Sequence, residues 1–576
     1  MASYPRVNRQ ITVERCEKFI SESFFTDVNL RSSLYVKRTG SEKYIQLLVY
    51  KVPSLKRISF EEAVKGNYEP AKRGDTFGPS WSTHWFHVHV TIPEDWKHEE
   101  VQFVWDANNE GMEVIAAESN MSLRVAPRVA RNLNSILRWL VMVELTVPNQ
   151  RAWKLFYDFE IILEMAKEIP HDTMRSAQAL HTANSIVNAF RPNDESSIDE
   201  ALDISREFLK HKNGNTQLRL TAVGNCHIDT AWLWPFDETK RKVARSWSTQ
   251  IGLMELYPDY KFVCSQAQQF EWLKIYYPEL FKKVQEKSAD GQFLPIGGTW
   301  VEMDCNLPSG EAFCRQFLFG PGELIRSVRN HKDKELSDEA LLLFGNGDGG
   351  GGPLASMIER LHRLRDVDGL AKVDMGSADD FYERLERNSS ELVSWKGELY
   401  FELHRGTYTS HGRIKRYNRK SELLLRDVEI LSTFASHVEQ GNGAYPKETL
   451  EELWKYVLLN QFHDVLPGSS IEMVYDDAYK FYEDVEKRGI ELREKALGIL
   501  LGKPSSTPCA EEGLLVFNTL GWSRTEVVEV PVSPGLGPFA QYATDQKSGY
   551  VLVKDTAGLG IQSVDVGISD ITSPAT

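Results

Sequence analysis

Hydrophobic and polar positions change rhythm several times along this chain of 576 residues. Up to about residue 160, short apolar runs such as YIQLLVYKVP and STHWFHVHVTIP alternate with turn signals. The period-two placing of Trp85, His87 and His89 predicts strands, so residues 1–160 read as a β-rich N-terminal domain. The stretch 119–149 fits no single element. A helix-like pattern from 151 to about 190, the polar linker RPNDESS and the loop HKNGNTQ predict a helical connector over 161–215.

From Leu218 the pattern becomes strand then helix. LRLTAVGNC, KFVCSQ and FLPIGGTWV read as strands. PFDETKRKVARSWSTQIGLMEL, QAQQFEWLKIYYPELFKKVQEK and SGEAFCRQFLFG read as helices. PGELIRSVRNHKDKELSDEA is charged and helical, and LLLFGNGDGGGGP is a fourth strand running into a glycine-rich loop. This alternation predicts a parallel sheet or β/α barrel over 216–395, with chemistry at the carboxyl ends of the strands. Four strands do not close a barrel, so the expected catalytic domain is an incomplete parallel β/α barrel. Three amphipathic helices follow, over 414–440, 447–464 and from Ser469, whose S-x-x-E with Glu472 has the capping-box pattern. They predict a three-helix bundle over 396–502. After GKPSSTPCAEEG, residues 513–576 hold about one hairpin's worth of β pattern, the start of a truncated C-terminal β segment with too little to bury a core. The fold class expected is therefore multidomain α/β.

Composition narrows the function. With 67 basic and 82 acidic residues the net charge is −15, which excludes a nucleic-acid polyanion as partner. The 14 Trp, 21 Tyr and 27 Phe suit a large core and also suit sugar sites, where rings stack on sugar faces. Six cysteines without a CxxC spacing make neither a disulfide scaffold nor a zinc ribbon. The start MASYPRVNRQ lacks an apolar secretory core, and the most apolar segment, 136–147, carries Arg138 and Glu144 and is too short to span a bilayer. A cytoplasmic location is expected, with no membrane.

His227 and Asp229 in NCHIDTAWLWP stand two residues apart at the end of a strand, where extended backbone sends both to one side. Nitrogen and oxygen donors suit zinc, although a strand-end His bonded to its neighbour is the commoner meaning of H-x-D. His463 and Asp464 in NQFHDVLPG are a second His–carboxylate pair, at a helix end where an imidazole also complements the macrodipole. Trp232 and Trp234 are core rings or sugar platforms. Glu302, Asp304 and Glu311 follow a strand and suit either acid/base work or turn capping. Glu398, Glu402, His404 and Arg405 form a further polar cluster. Gly345 to Pro353 lacks the Lys-Ser/Thr of a phosphate loop, so its glycines read as room for close backbone approach.

Taken in order, NCHIDTAWLWPF, CSQAQQFEWLK, PIGGTWVEMD, NLPSGEA, FGNGDGGGGP, GELYFELHRGTYTS and LLNQFHDVLPGSSI resemble the glycoside hydrolase family 38 α-mannosidases of the cytosolic type. FFTDVNLR and GDTFGPSW (74–81) are similar to the N-terminal β domain of that branch. The resemblance covers most of 10–110 and 155–535. It implies a metal-dependent, retaining α-mannosidase acting on terminal α-mannose of oligosaccharides in mannose catabolism, with zinc as cofactor and cobalt associated with the cytosolic branch. The metal ligands implied are His227, Asp229 and His463; Trp232 would pack under the mannose ring and Asp464 would bond its hydroxyls. The partners implied are mannose-containing oligosaccharides, with room for a homo-oligomer. The family's nucleophile, also its third metal ligand, belongs to a Pro-Asp-x-Phe-Gly type motif between RQFLFG and LLLFGNGDGGGGP, where this chain has only Pro321 to Ala340. That motif has no counterpart here. Asp304 is the substitute carboxylate expected, and a catalytically inactive metal- and mannoside-binding chain is the alternative function.

Overall fold

A computed structural model of the chain describes residues 8–79, 82–106, 124–127, 140, 142–214, 218–319, 339–387, 389–391, 394–397, 402–438, 445–502, 514–532, 541–544 and 547–564. In chain order the first elements are α1 (Arg9–Phe19), β1 (Tyr35–Thr39), β2 (Ile45–Lys51), α2 (Phe60–Ala63), β3 (Glu69–Ala71), β4 (His84–Val90), β5 (Gln102–Asp106), β6 (Arg124–Pro127) and β7 (Met142–Pro148). Next come α3 (Gln150–Glu168), α4 (Met174–Ala189), α5 (Glu195–Leu209), β8 (Arg219–Asn225), α6 (Phe236–Leu256), β9 (Phe262–Cys264), α7 (Ala267–Tyr276), α8 (Pro278–Ala289) and β10 (Phe293–Pro295). They are followed by α9 (Gly310–Phe319), β11 (Glu339–Phe344), α10 (Ala355–Leu364), β12 (Lys372–Met375), α11 (Ala378–Arg387), α12 (Gly412–Val438), α13 (Lys447–Asn460) and α14 (Glu472–Leu500). The last are β13 (Leu514–Asn518), β14 (Arg524–Pro531), β15 (Gln541–Tyr542), β16 (Ser548–Thr556) and β17 (Gly560–Val564). Two compact units share the chain in interleaved segments. The first holds Met1–Asp229, Phe236–Gly297 and Gly322–Leu399; the second holds Thr230–Pro235, Gly298–Pro321 and Tyr400–Thr576.

In the first unit, the N-terminal strands form two sheets, ordered β1-β7-β5-β6 and β3-β2-β4. On β2 the alternation is visible in the burial: Ile45, Leu47 and Val49 are buried while Gln46 and Leu48 face out. Helices α1, α3, α4 and α5 share one core, with Phe19, Phe159, Leu163, Ile186 and Phe208 inside it. The long helix-like pattern is two helices, because Pro170 stops the first and the Thr173 side chain caps the second.

The same unit contains a five-stranded sheet, every described pairing of which is parallel. Strand β8 is central. It pairs with β11 along one side, and on the other with β12 at its start and β9 at its end. Its middle, Thr221 to Gly224, is wholly buried, as a parallel strand covered on both faces must be. Trp247 of α6 anchors the layer above, edge-on to Phe293 and tilted over Phe270. The structure adds β12, a strand missed because KVDM is four residues long with two charges. It also divides one expected helix into α7 and α8, with Pro278 at the first position of the second. The charged stretch before β11 falls on 320–338, outside the described residues, as do most of 119–149 apart from β6, β7 and their flanks.

In the second unit, α12, α13 and α14 pack pairwise around Leu425, Val428, Leu453, Trp454, Val457 and Val485. Arg315 of α9 lies over the Trp454 ring at 4.1 Å and pairs with Glu429 at 2.7 Å. Strand pairs β13–β17 and β14-β16-β15 are antiparallel. The C-terminal segment thus holds five strands rather than one hairpin, and buries Val530 and Val553. Among the described residues no helix is long and apolar enough to cross a membrane.

Candidate functional site

Strand β8 ends at Asn225, and the chain leaves the sheet through Cys226, His227, Ile228 and Asp229. His227 Nε2 lies 2.9 Å from Asp229 Oδ1; the carboxylate is 2% exposed and the ring is half-buried. Ile228 points the other way into the core, and its carbonyl accepts two side-chain N–H bonds, from Gln266 Nε2 at 3.0 Å and Gln269 Nε2 at 2.7 Å. Both glutamines are buried, so the bonds are not diluted by water. The Asp229 carbonyl accepts from the Thr239 hydroxyl at 3.4 Å. The H-x-D segment is therefore fastened to β9's exit and to α6 at successive carbonyls, which fixes where its two side chains point.

Gln266 is held at φ 68°, ψ 92°, a left-handed conformation rare for a residue with a Cβ. The glycine-rich loop closes the neighbouring strand end. A Cβ on Gly345 would overlap the carbonyl oxygen of Asn225, so the close approach read from the sequence is real and specific to that glycine. The loop is tied down by Asn346 Nδ2 donating to the Gly352 carbonyl and by the Ser246 hydroxyl donating to that of Gly350.

In the second unit, helix α13 ends at Asn460, three residues before His463, so His463 sits in the turn beyond the helix and not at its terminus. That turn is bridged to the segment after Trp300: Met303 pairs with Phe462, and the Asp304 N–H donates to the Gln461 carbonyl at 2.8 Å. The Glu302 carbonyl receives both the backbone N–H of His463 at 3.2 Å and its ring Nδ1 at 2.8 Å. This carbonyl fixes the ring tautomer and turns Nε2 the other way, where it lies 3.6 Å from Asp464 Oδ2. A ring nitrogen of His463 and a carboxylate oxygen of Glu302 lie within 4.8 Å of each other.

Ser469 donates its hydroxyl to the Asp464 carboxylate, and α14 starts at Glu472 without a side-chain cap. The capping box expected at Ser469 is therefore not formed, because Asp464 takes the hydroxyl. Lys415 Nζ donates to the carbonyls of Ser410, Leu466 and Pro467 and holds the loop behind His463; burial lowers its pKa, against the pull of the Asp304 charge. Trp232 is half-buried and edge-on to the buried Trp234, with its backbone bonded to Ile471. Asp304 Oδ2 accepts the N–H groups of Asn306 at 3.1 Å and Leu307 at 2.7 Å, so it is built into a turn. Glu311 pairs with Arg315. His404 and Arg405 are exposed, while Glu398 and the Glu402 side chain lie outside the described residues.

Sequence reasoning missed the residues under these motifs. Gln461 is fully buried; its amide donates to Asn418 and Glu422, each at 3.0 Å, and accepts from Gln316 at 3.3 Å. Burial pushes the Glu422 carboxyl up, partly offset by the Ser309 N–H and Arg419. A raised folded-state pKa means the native chain holds this proton more tightly than the unfolded one. The stability it contributes is full below the unfolded value of about 4.3 and is lost as pH rises through the folded value. Glu422→Gln should gain on the parent chain as pH rises above the unfolded value of about 4.3, measured as the difference in urea midpoints; a difference that does not change with pH would show that the fold does not shift the Glu422 titration.

Three family profiles match the chain: "Glycosyl hydrolases family 38 N-terminal domain" over 217–322 and 321–398, "Alpha mannosidase middle domain" over 402–500, and "Alpha-mannosidase, jelly roll domain" over 43–127. Among curated proteins, the chain is 37% identical to Alpha-mannosidase 2C1 of Mus musculus, over 92% of this chain and 62% of that one. It is 36% identical to Alpha-mannosidase 2C1 of Homo sapiens, over 97% and 64%. Alpha-mannosidase G of Dictyostelium discoideum is 32% identical over 91% and 61%. The chain thus spans a little under two thirds of the length of these relatives. The human match runs over 681 positions, 105 more than the chain has residues.

Proposed function

We propose that the chain, whose segments match the glycosyl hydrolase family 38 and alpha-mannosidase family models, is an α-mannosidase-type, retaining glycoside hydrolase acting on terminal α-mannose of oligosaccharides with a divalent metal, zinc or cobalt. The observation that carries this reading is the pair of His–carboxylate motifs, H-x-D after β8, held by two buried glutamine amides on the Ile228 carbonyl, and H-D after α13, whose ring is held by the Glu302 carbonyl. Imidazole nitrogen with carboxylate oxygen is a donor set that suits zinc and cobalt. His227, Asp229 and His463 would hold the ion. Bound there, it would chelate sugar hydroxyls and favour the flattened ring of the oxocarbenium-like transition state.

This chain's own groups supply the rest. The half-exposed face of Trp232 offers a platform for the apolar side of mannose. Asp464, oriented by the Ser469 hydroxyl, would accept from sugar hydroxyls. The finer architecture belongs to the same reading: the parallel sheet as the core of a barrel-like β/α domain, the three helices as a bundle. A cytoplasmic setting accords with Cys16, Cys226, Cys264, Cys305 and Cys314 all being outside disulfides.

A second reading, binding of metal and mannoside without turnover, is favoured by the break in the catalytic-domain match. Its two pieces meet at residues 321 and 322, where the nucleophile motif is expected, and the human relative has more than a hundred aligned positions that this chain lacks. The turn bonds of Asp304 count against it as the replacement nucleophile, since reaiming it costs both N–H bonds. Hydrolysis of an aryl α-mannoside by the purified chain, with zinc or cobalt and beside His227→Ala, separates the two. Metal-dependent turnover that His227→Ala abolishes is the result expected of the hydrolase. Metal loading and mannose binding without turnover would establish the binding chain instead.

A further inference from the structure

We propose that Glu302 is the carboxylate that completes the metal's ligands in this chain, an inference that rests on the metal-dependent reading above and names the group standing in for the absent Pro-Asp-x-Phe-Gly aspartate. The argument lies wholly within the second unit. Glu302 and His463 are registered against each other by three backbone features: the Met303–Phe462 bridge, the His463 N–H on the Glu302 carbonyl, and the Asp304 N–H on the Gln461 carbonyl. The same Glu302 carbonyl takes ring Nδ1 at 2.8 Å, so one residue orients the imidazole and brings its own carboxylate oxygen to within 4.8 Å of a ring nitrogen.

Zinc or cobalt bound to nitrogen and oxygen at about 2.0–2.2 Å puts the two donors about 3.4 Å apart in a tetrahedral site. The long, flexible Glu side chain covers that difference by rotation. The rival carboxylates of this segment are committed. Asp304 shares Glu302's side of the extended backbone, yet its Oδ2 is held by Asn306 and Leu307. Glu311 lies on α9 in an ion pair with Arg315. Glu302 is half-buried and carries its carboxylate oxygen within 4.8 Å of a His463 ring nitrogen.

The test is a titration of the full chain with Co2+, followed by the visible d–d absorption, for the parent, Glu302→Gln, Glu302→Asp, Asp304→Asn and His463→Ala. Glu302→Gln is expected to lose about 100-fold in Co2+ affinity and to change the band intensity, with the metal-free thermal midpoint unmoved; outer-shell losses alone reach 10–100-fold. Glu302→Asp should bind with intermediate affinity, which guards against a Gln variant that simply misfolds. Asp304→Asn should bind as the parent does. If Glu302→Gln matches the parent in affinity and spectrum while His463→Ala loses both, Glu302 is not a ligand although the metal reading stands. If the parent chain takes up neither Co2+ nor Zn2+, both the ligand assignment and the reading beneath it fail.

Discussion

Gln461→Leu is expected to destabilise the second unit by about 3–5 kcal/mol, because it leaves several buried polar groups short of a partner at once. Leucine nearly matches glutamine in volume, so the loss is one of hydrogen bonding and not of packing. Gln461 is 0% exposed and stands between a carboxylate, two amides and the bridge to Asp304. Without its amide, Glu422 loses one donor beside those of Ser309, Arg419 and Asn418, Asn418 loses a donor, and the Gln316 amide loses an acceptor while keeping the Leu458 carbonyl at 3.0 Å and the Val301 N–H at 3.1 Å. Each unsatisfied buried group costs roughly 1–3 kcal/mol, and neighbours in one network do not simply add. Guanidinium unfolding with an unchanged m-value is the measurement. Because His463 lies two residues on, Co2+ affinity should fall as well. In a double-mutant cycle, Glu422→Gln should recover part of the loss; a total below about 1 kcal/mol with no coupling would show that water already serves this network.

Gly345→Ala should cost about 3 kcal/mol or more, the upper range for overpacking, whereas Gly349→Ala four residues on should stay within about 0.5 kcal/mol. The contrast follows from what each new methyl meets. At Gly345 it would overlap the Asn225 carbonyl oxygen, with Asn225 C and Pro353 Cδ both at 3.3 Å; at Gly349 nothing lies within 4 Å. A side chain can rotate away, but a strand carbonyl cannot move unless the β8–β11 register, which runs to Phe344 opposite Gly224, opens at its end. Asn225 is two residues from His227, so the same displacement should weaken metal binding. Thermal unfolding of the two variants side by side decides the matter, and equal midpoints would refute the steric account.

The elements that carry the motifs were legible because they are long or strongly patterned. Strand β8, helix α6 and the helices α12 and α14 follow their hydrophobic periods closely, and H-x-D at a strand end needed only the spacing. What escaped has a common physical cause, which is competition for hydrogen bonds that no periodicity encodes. Ser469 reads as a helix cap until Asp464 is seen to take its hydroxyl. Helix α13 stops early because Phe462 and Asp304 draw the following turn into a bridge. Gln266 and Gln269 look like ordinary polar positions of a helix start, and only the fold shows that both aim at one carbonyl. The five strands after residue 513 were undercounted because two to nine residues per strand, with Val527 and Leu552 facing out, leave little contrast to read.

The left-handed backbone at Gln266 has a consequence for how this chain tolerates change. A residue with a Cβ in that conformation stores about 1–3 kcal/mol, so relief is always one substitution away. Glycine there would relax the torsion and lengthen the protein's lifetime against unfolding, yet it would drop one of the two amides that hold the Ile228 carbonyl. Selection for robustness alone would drive this position to glycine. Glutamine persists there only while something rewards the exact aim of the H-x-D loop, which makes position 266 a ledger of use: in copies of this chain freed from ligand binding, it is among the first places expected to drift.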